Sequence, residues 1–416
     1  MTDRKKPELL MPAGSLDVLK TAVNYGADAV YIGGDYFSLR ANAKNFSLEE
    51  MKEGLYYAHS RGRKVYLTAN IFAHNDDIKK AEEFFDEIKA LSFDALIMSD
   101  PGLFMMARKR LPDVEIHIST QANNTNAQTF KFWRSLGATR CVAARELSLD
   151  ELKVIKEEIK DMEIEAFVHG AMCMSYSGRC LLSNYMVGKD ANKGACTHPC
   201  RWKYSVVEEK RPGEYLPVYE NERGTYIFNS KDLCMIDKLP DMIDAGIDSL
   251  KVEGRMKTAL YVASVAGAYR KAIDDYFESP EVYNKNIPYY LNEIRSCTYR
   301  NFTRGFFYEK PNEEAQIYDN NTYNKGAVYL GIIKGFDENG LAVFEQKNKF
   351  CVGDTIEIMK FGGMNEEAIV ERILSEEGKE QENAPHARQI LHVKLSKKAE
   401  IGELLRAIDF NGRDNI

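Results

Sequence analysis

The chain has 416 residues, 44% of them hydrophobic and 29% charged, with a net charge of −7. That length accommodates one large α/β domain plus a smaller module, and the composition is that of an ordinary soluble globular protein. No apolar run is long enough to span a bilayer, and the acidic balance argues against indiscriminate coating of nucleic acid while leaving room for a local basic patch.

The opening, MTDRKKPELLMPAGS, has basic residues without an apolar core behind them, so no signal peptide is expected and the cytoplasm is the expected location. Over the first 255 residues, short β-branched or apolar runs alternate with segments of helical period. ELLMPAG, DAVYIGG, KVYLTAN, DALIMSD, EIHISTQ, TRCVAAR, EIEAFVHG and DSLKVEG read as strands. SLDVLKTAVNYG reads as a helix capped by Ser15 and ended at Gly26. SLEEMKEGLYYAHSRG has a capping box of Ser47 and Glu50 and ends at Gly62. DIKKAEEFFDEIKAL and DELKVIKEEIK repeat the amphipathic spacing. Eight strands separated by helices predict a TIM-like (β/α)8 barrel. Counting strands does not prove closure, and a doubly wound open sheet is the alternative. Asn70, Gln121, His169 and Glu253 fall at or just after the carboxyl ends of these runs, the edge where a barrel builds its active site.

One interval breaks the rhythm. About seventy residues separate EAFVHG from DAGIDSLKVEG, where a short loop and one helix would suffice. The texture changes again after the helical stretch ALYVASVAGAYRKAIDDYF and a Tyr/Asn-rich region. GAVYLGIIKGF, LAVFEQ, DTIEIMK, AIVERIL and ILHVKLSK predict a small all-β module, read as a barrel. The expected organisation is a barrel domain over 1–300 with a cysteine-rich segment at 171–235, a linker over 301–324 and a β-barrel domain over 325–412.

The long interval holds Cys173, Cys180, Cys196 and Cys200, and Cys234 follows it. In a reducing compartment, clustered cysteines read as metal ligands or catalysts rather than disulfides. The gaps are six, fifteen, three and thirty-three residues, and only Cys196–Cys200 fits a zinc knuckle. Dispersed thiolates suit a [4Fe–4S] cube better, with Gly178, Gly188 and Gly194 letting the backbone bend round it. Structural zinc and a reactive thiol stay open. Cys141, Cys297 and Cys351 read as packing residues. The stretch KDANKGACTHPCRWKYSVVEEKR interleaves Lys189, Lys193, Arg201 and Lys203 with Trp202 and Tyr204, a pattern suited to phosphates and stacked bases.

EAFVHGAMCMSYSGRCLLS, its continuation through GACTHPCRWKY, then NSKDLCMI and AGIDSLKVEGRMKT resemble the collagenase-like peptidase family U32. The opening PELLMPAGSLDVLKTAVNYGADAVYIGG and the C-terminal β module are similar to the same family. Despite the peptidase name, the resemblance implies hydroxylases that act on tRNA, ribosomal RNA or a quinone precursor without dioxygen. The full-length barrel with its β module most resembles the branch forming 5-hydroxyuridine at the tRNA wobble position. It further implies a [4Fe–4S] cluster and prephenate as co-substrate; a homo- or hetero-oligomer with a related subunit is a separate expectation that the sequence leaves open. Matched residue by residue, the cluster ligands are Cys173, Cys180, Cys196 and Cys234, with Cys200 as the alternate third ligand.

Prephenate is a dicarboxylate, so cations at strand ends are required, and Arg40, Lys251 and Arg255 are placed to supply them. His169 and Glu253 are the acid–base candidates, while the amides of Asn70, Gln121, Asn123 and Asn124 suit a uracil edge or a carboxylate. The competing class is a cysteine peptidase using His169 or His198 as base. The sequence has no G-x-S-x-G elbow and no H-E-x-x-H helix. A non-catalytic metal scaffold that binds RNA is the third reading.

Overall fold

The computed structural model describes residues 5–34, 46–173, 175–177, 179–193, 195–201, 205–207, 215–217, 229–297, 300–309, 316–317 and 326–408. Seven parallel strands follow one another round a ring: β1 (Glu8–Pro12), β2 (Ala29–Gly33), β3 (Lys64–Ala69), β4 (Ala95–Met98), β5 (Glu115–Ile118), β6 (Arg140–Val142) and β7 (Glu163–Ala171). After β8 (Asp232–Cys234), which pairs antiparallel with the far end of β7, comes β9 (Ser249–Val252). β9 pairs in parallel with both β1 and β7 and closes the eight-stranded barrel. All eight strands expected from the sequence are present, and the open-sheet alternative is excluded by that closure.

Local signals set the helices. Ser15 caps α1 (Leu16–Asn24) by accepting from Val18 N, and Ser47 with Glu50 forms the expected capping box of α2 (Leu48–His59). α3 (Asn75–Ile88), α4 (Pro101–Arg110), α5 (Ala127–Ser135) and α6 (Leu149–Glu158) complete the regular βα repeats. Their apolar faces and the outward faces of the strands share one core, which includes Leu9, Val30, Leu67, Phe85, Phe104 and Phe130. Among the described residues no helix is long and apolar enough to cross a membrane.

The barrel interior is only partly apolar. Leu10, Ala29, Tyr31, Tyr66, Ala95 and Ile97 form a small cluster inside it. The rest is ionic, where barrels of this type usually stack branched apolar side chains. Arg140 bonds Glu8 at 2.6 Å, Glu163 at 2.6 Å and Glu165 at 3.1 Å, and Glu165 reaches Lys251 at 2.5 Å. Burial works to raise the Glu8 carboxyl, but Arg140, Tyr66 and Ser249 hold it down to about 2.

The cysteine excursion contains the short helix α7 (Leu182–Val187), and α8 (Leu239–Asp244) leads into β9. After β9 come α9 (Ala259–Glu278) and α10 (Pro280–Ser296). α10 lies in the Tyr/Asn-rich region that the sequence left unassigned. Pro288 inside it masks the helical pattern, although Ser279 caps it, Pro280 starts it, and Tyr283, Tyr290 and Ile294 are buried. Within the expected linker, β10 (Phe302–Thr303) pairs with β8, and Gln316–Ile317 pairs with Asn229–Ser230.

The C-terminal module is a closed antiparallel barrel of six strands. β11 (Ala327–Phe336), β12 (Ala342–Glu345), β13 (Thr355–Met359), β14 (Glu366–Ser375) and β15 (Ile390–Leu395) are the five expected ones. The sixth, β16 (Leu404–Ile408), was not foreseen, because LLRAI is short and carries a central arginine that reads as solvent-facing. Arg406 is instead fully buried, with Ser296 at 2.6 Å, Glu293 at 2.8 Å and Glu357 at 2.7 Å. It ties the module to α10, and the Tyr25 hydroxyl adds a second tie by donating to Met359 O and accepting from Leu404 N.

Candidate functional site: a cysteine-walled cavity at the barrel mouth

At the carboxyl ends of the barrel strands lies a cavity of about 510 Å³, within the usual range for small-ligand sites. Tyr31 from β2, Thr68 and Asn70 from β3 and its loop, and Ile97 from β4 form one side. Ser119, Thr120 and Gln121 follow β5, Arg145 follows β6, Phe167 comes from β7, and Lys251, Glu253 and Arg255 come from β9 and its loop. The cysteine excursion supplies the remaining wall with Cys173, Ser175, Tyr176, Cys180, Cys196, His198 and Cys200.

Particular backbone features put the excursion there. Gly170 has φ +104°, and a Cβ at that position would stand 2.5 Å from the Glu253 carbonyl oxygen. Only glycine allows β7 to turn out of the barrel against β9 so closely. The excursion is then pinned to two barrel loops. Asn123, itself left-handed at φ 54°, donates to Ser177 O at 3.2 Å and accepts from Arg179 Nε at 2.7 Å. Asn192 exchanges two 3.4 Å bonds with the backbone of Phe72.

Four cations line the cavity: Arg145, Lys251, Arg255 and Lys257. Lys251 is paired with the fully buried Glu165; burial works to raise that carboxyl, but Lys251 and Arg140 hold it below the usual range. Arg255 is buried and donates to the Thr68 hydroxyl at 2.9 Å. Arg145 lies 3.9 Å over the Phe167 ring, donates to Ala171 O at 2.9 Å and stands 3.9 Å from the Glu253 carboxylate. The sequence reading missed Arg145, although it carries the signal that identified Lys251 and Arg255: a cation at or just past a strand end.

Four buried atoms on this wall have no hydrogen-bond partner among the described residues: Asn70 Oδ1, Gln121 Oε1, Arg145 Nε and Ser175 Oγ. Leaving such a group unpaired costs about 1–3 kcal/mol, so this wall offers acceptors and donors to a ligand or to water.

The residues named from sequence divide clearly. Asn70, Gln121, Lys251, Glu253, Arg255, Cys173, Cys180, Cys196 and Cys200 meet at the cavity. His169 does not line it. Its ring is buried against Tyr261, Tyr269 and Phe302, and desolvation pushes it down to about 4, which removes the titration near neutral pH foreseen for it. Cys234 is likewise fully buried and outside the lining, its thiol pushed up to about 11 by burial. The fourth thiol at the cavity is therefore Cys200. Lys189 is exposed on the excursion. Arg40, Trp202 and Lys203 lie outside the described residues, as do the side chains of Lys193 and Arg201.

None of the cavity thiols is in a disulfide, and each lies on the excursion or its threshold. They share a wall without converging: among the described residues no three His, Cys, Asp or Glu side chains are gathered as a single ion requires. Four thiols outside any disulfide are the donor set that an iron–sulfur cluster takes, so the residues present fit one in kind and number.

Closed barrel, ionic interior and thiol-bearing excursion together define a barrel protein with a cysteine-walled ligand cavity at its mouth. The chain belongs to peptidase family U32, whose pattern matches residues 14–317, and the family's C-terminal domain matches residues 325–406. Among curated proteins, tRNA hydroxylation protein P1 of Bacillus subtilis is 40% identical over 405 residues, covering 97% of this chain and 95% of its own. tRNA hydroxylation protein P of Escherichia coli is 37% identical over 447 residues, covering 98% of each chain. A 23S rRNA 5-hydroxycytidine synthase of Escherichia coli is 36% identical over 271 residues, covering 65% of this chain and 40% of its own.

Proposed function

We propose that this chain is an RNA hydroxylase acting on tRNA, and that it converts the anticodon wobble uridine to 5-hydroxyuridine. The observation that carries this reading is the composition of the cavity wall, where four thiols outside any disulfide, four cations and unsatisfied amides share one space. The near-full-length relatives named for tRNA hydroxylation support tRNA over ribosomal RNA, since the relative named for rRNA matches a smaller share of this chain. The choice of uridine C5 and of the wobble position is supported by the motif resemblance.

Replacing a pyrimidine C–H by C–OH removes two electrons from the base, so it requires a co-substrate that delivers the oxygen atom and takes up those electrons; acid–base side chains alone do neither. Cys173, Cys180, Cys196 and Cys200 are the residues that would hold a [4Fe–4S] cluster. When bound, such a cluster supplies electron transfer at the site. Arg145, Lys251 and Arg255 offer charge-assisted hydrogen bonds to a dicarboxylate, the chemistry of prephenate, which is the co-substrate proposed for a reaction without dioxygen. Asn70 and Gln121 hold free acceptors towards the N–H groups of a base edge, and Glu253 is the carboxylate placed to move a proton.

Anaerobic purification with iron and sulfide counts tests the cluster, and about four of each per chain are expected. Cys200→Ala should lose iron while Cys234→Ala keeps it; the reverse would return a ligand role to Cys234. Nucleoside analysis of tRNA from a strain lacking the gene tests the substrate. 5-Hydroxyuridine should fall, and should return with the wild-type chain but not with Cys200→Ala. An unchanged nucleoside profile would refute the tRNA reading, and digestion of denatured collagen by the purified chain would favour a peptidase.

A further inference from the structure

The helix α7 turns its apolar side chains to solvent. Tyr185 is 87% exposed and neighbouring Leu181 72%, Met186 is also exposed, and Ser183 is wholly buried. Ser183 fixes this orientation, because its hydroxyl accepts from Thr197 N at 3.1 Å and clamps the helix to the strip bearing Cys196 and Cys200. A helix with serine inward and tyrosine outward reverses the usual amphipathic order, and contiguous exposed apolar groups mark a contact surface.

Charge indicates what that surface contacts. Residues 169–203 hold five Lys and Arg against a single Asp, in a chain whose net charge is −7. Exposed rings on a locally cationic segment suit a polyanion that offers rings of its own. Unpaired RNA does so, its bases stacking on aromatic side chains while its phosphates meet the cations. Tyr176 is half exposed and lines the cavity, and Cys180, the residue directly before Leu181, lines it as well, which puts the start of α7 at the cavity rim.

We propose that α7, with Tyr176, is a stacking platform for unpaired nucleotides that flank the base entering the cavity. The proposal rests on the RNA reading above and adds to it the contact surface and the single-stranded state of the RNA. Tyr185 stacks a flanking base, Met186 and Leu181 extend the apolar contact, and Lys189 takes a phosphate.

The test is fluorescence anisotropy with the full chain, purified anaerobically, against an RNA hairpin with a seven-nucleotide loop and a blunt RNA duplex of equal length. Tyr185→Ala should weaken hairpin binding by roughly tenfold or more, Tyr185→Phe should retain it, and duplex binding should be unaffected. Lys189→Ala should lower the slope of log affinity against log salt by about 0.7, the share of one single-strand phosphate. Hairpin binding unchanged in Tyr185→Ala overturns the platform while the RNA reading stands. Failure of the wild-type chain to bind either RNA overturns both. A wild-type dimer in sedimentation that Tyr185→Ala dissociates also overturns the platform, since α7 would then be covered by a second copy.

Discussion

His169 stands at the carboxyl end of β7, where alternation would aim it inward beside Glu165 and Phe167. The pairing of β7 with β9 shifts register there, so that Lys251 opposes Phe167 and the next residue, Val252, opposes His169. That slip places the His169 ring among the aromatics of α9, and a sequence carries no marker for it. The consequence is measurable through pH. An unfolded histidine titrates near 6.5, whereas burial holds His169 at about 4 in the folded chain. Between those values the unfolded chain takes up a proton that the folded chain refuses. The stability from this residue is therefore fully present above about pH 6.5 and is lost as pH falls, by ~3 kcal/mol towards pH 4. Urea midpoints should fall from pH 7 to 4.5, and the fall should be shallower in His169→Phe, with buried His117 shifted in the same direction and contributing the remainder. Equal slopes in the two proteins would show that His169 does not carry the effect. Asn70, Gln121, Lys251 and Arg255 were legible because a strand end fixes their position whatever the register does.

At the level of elements, caps were the most readable feature. Ser15 and Ser47 act locally, each on the amide three residues away, and the structure places both where the sequence did. α10 and β16 were hidden because what stabilises them is distant in sequence: the core that buries Tyr283 and Tyr290, and the carboxylates that neutralise Arg406. The exit of β7 is a further case. Gly170 looks like any glycine in a signature, yet its conformation and its approach to Glu253 O leave no room for a side chain. The atom that a new Cβ would strike belongs to the backbone and cannot swing aside. Gly170→Ala should cost about 2 kcal/mol or more and lower the melting temperature by several degrees in calorimetry. A melting temperature within one degree of wild type would show that the β7 exit relaxes freely.

At the scale of the whole molecule, the two barrels are joined by a buried ionic contact rather than by a linker alone. Arg406 faces Glu293 of α10 and Glu357 of β13, and in its absence both carboxylates keep their charge without the cation that balances it. Arg406→Ala should cost about 3 kcal/mol in denaturant unfolding of the full chain. Combining Arg406→Met with Glu293→Met should recover part of that loss, because the stranded charge goes with the arginine. A double variant no better than the single would assign the loss to packing instead.

The closure of the first barrel also sets a timetable. Ser249 of β9 bonds Glu8 of β1 across 241 residues of chain. At roughly 5–20 residues per second of synthesis, the free edge of β1 waits tens of seconds for its partner to be made. During that wait the thiols from Cys173 to Cys200 have already been synthesised, so in the life of each new molecule the cysteines precede the finished barrel mouth that they come to line.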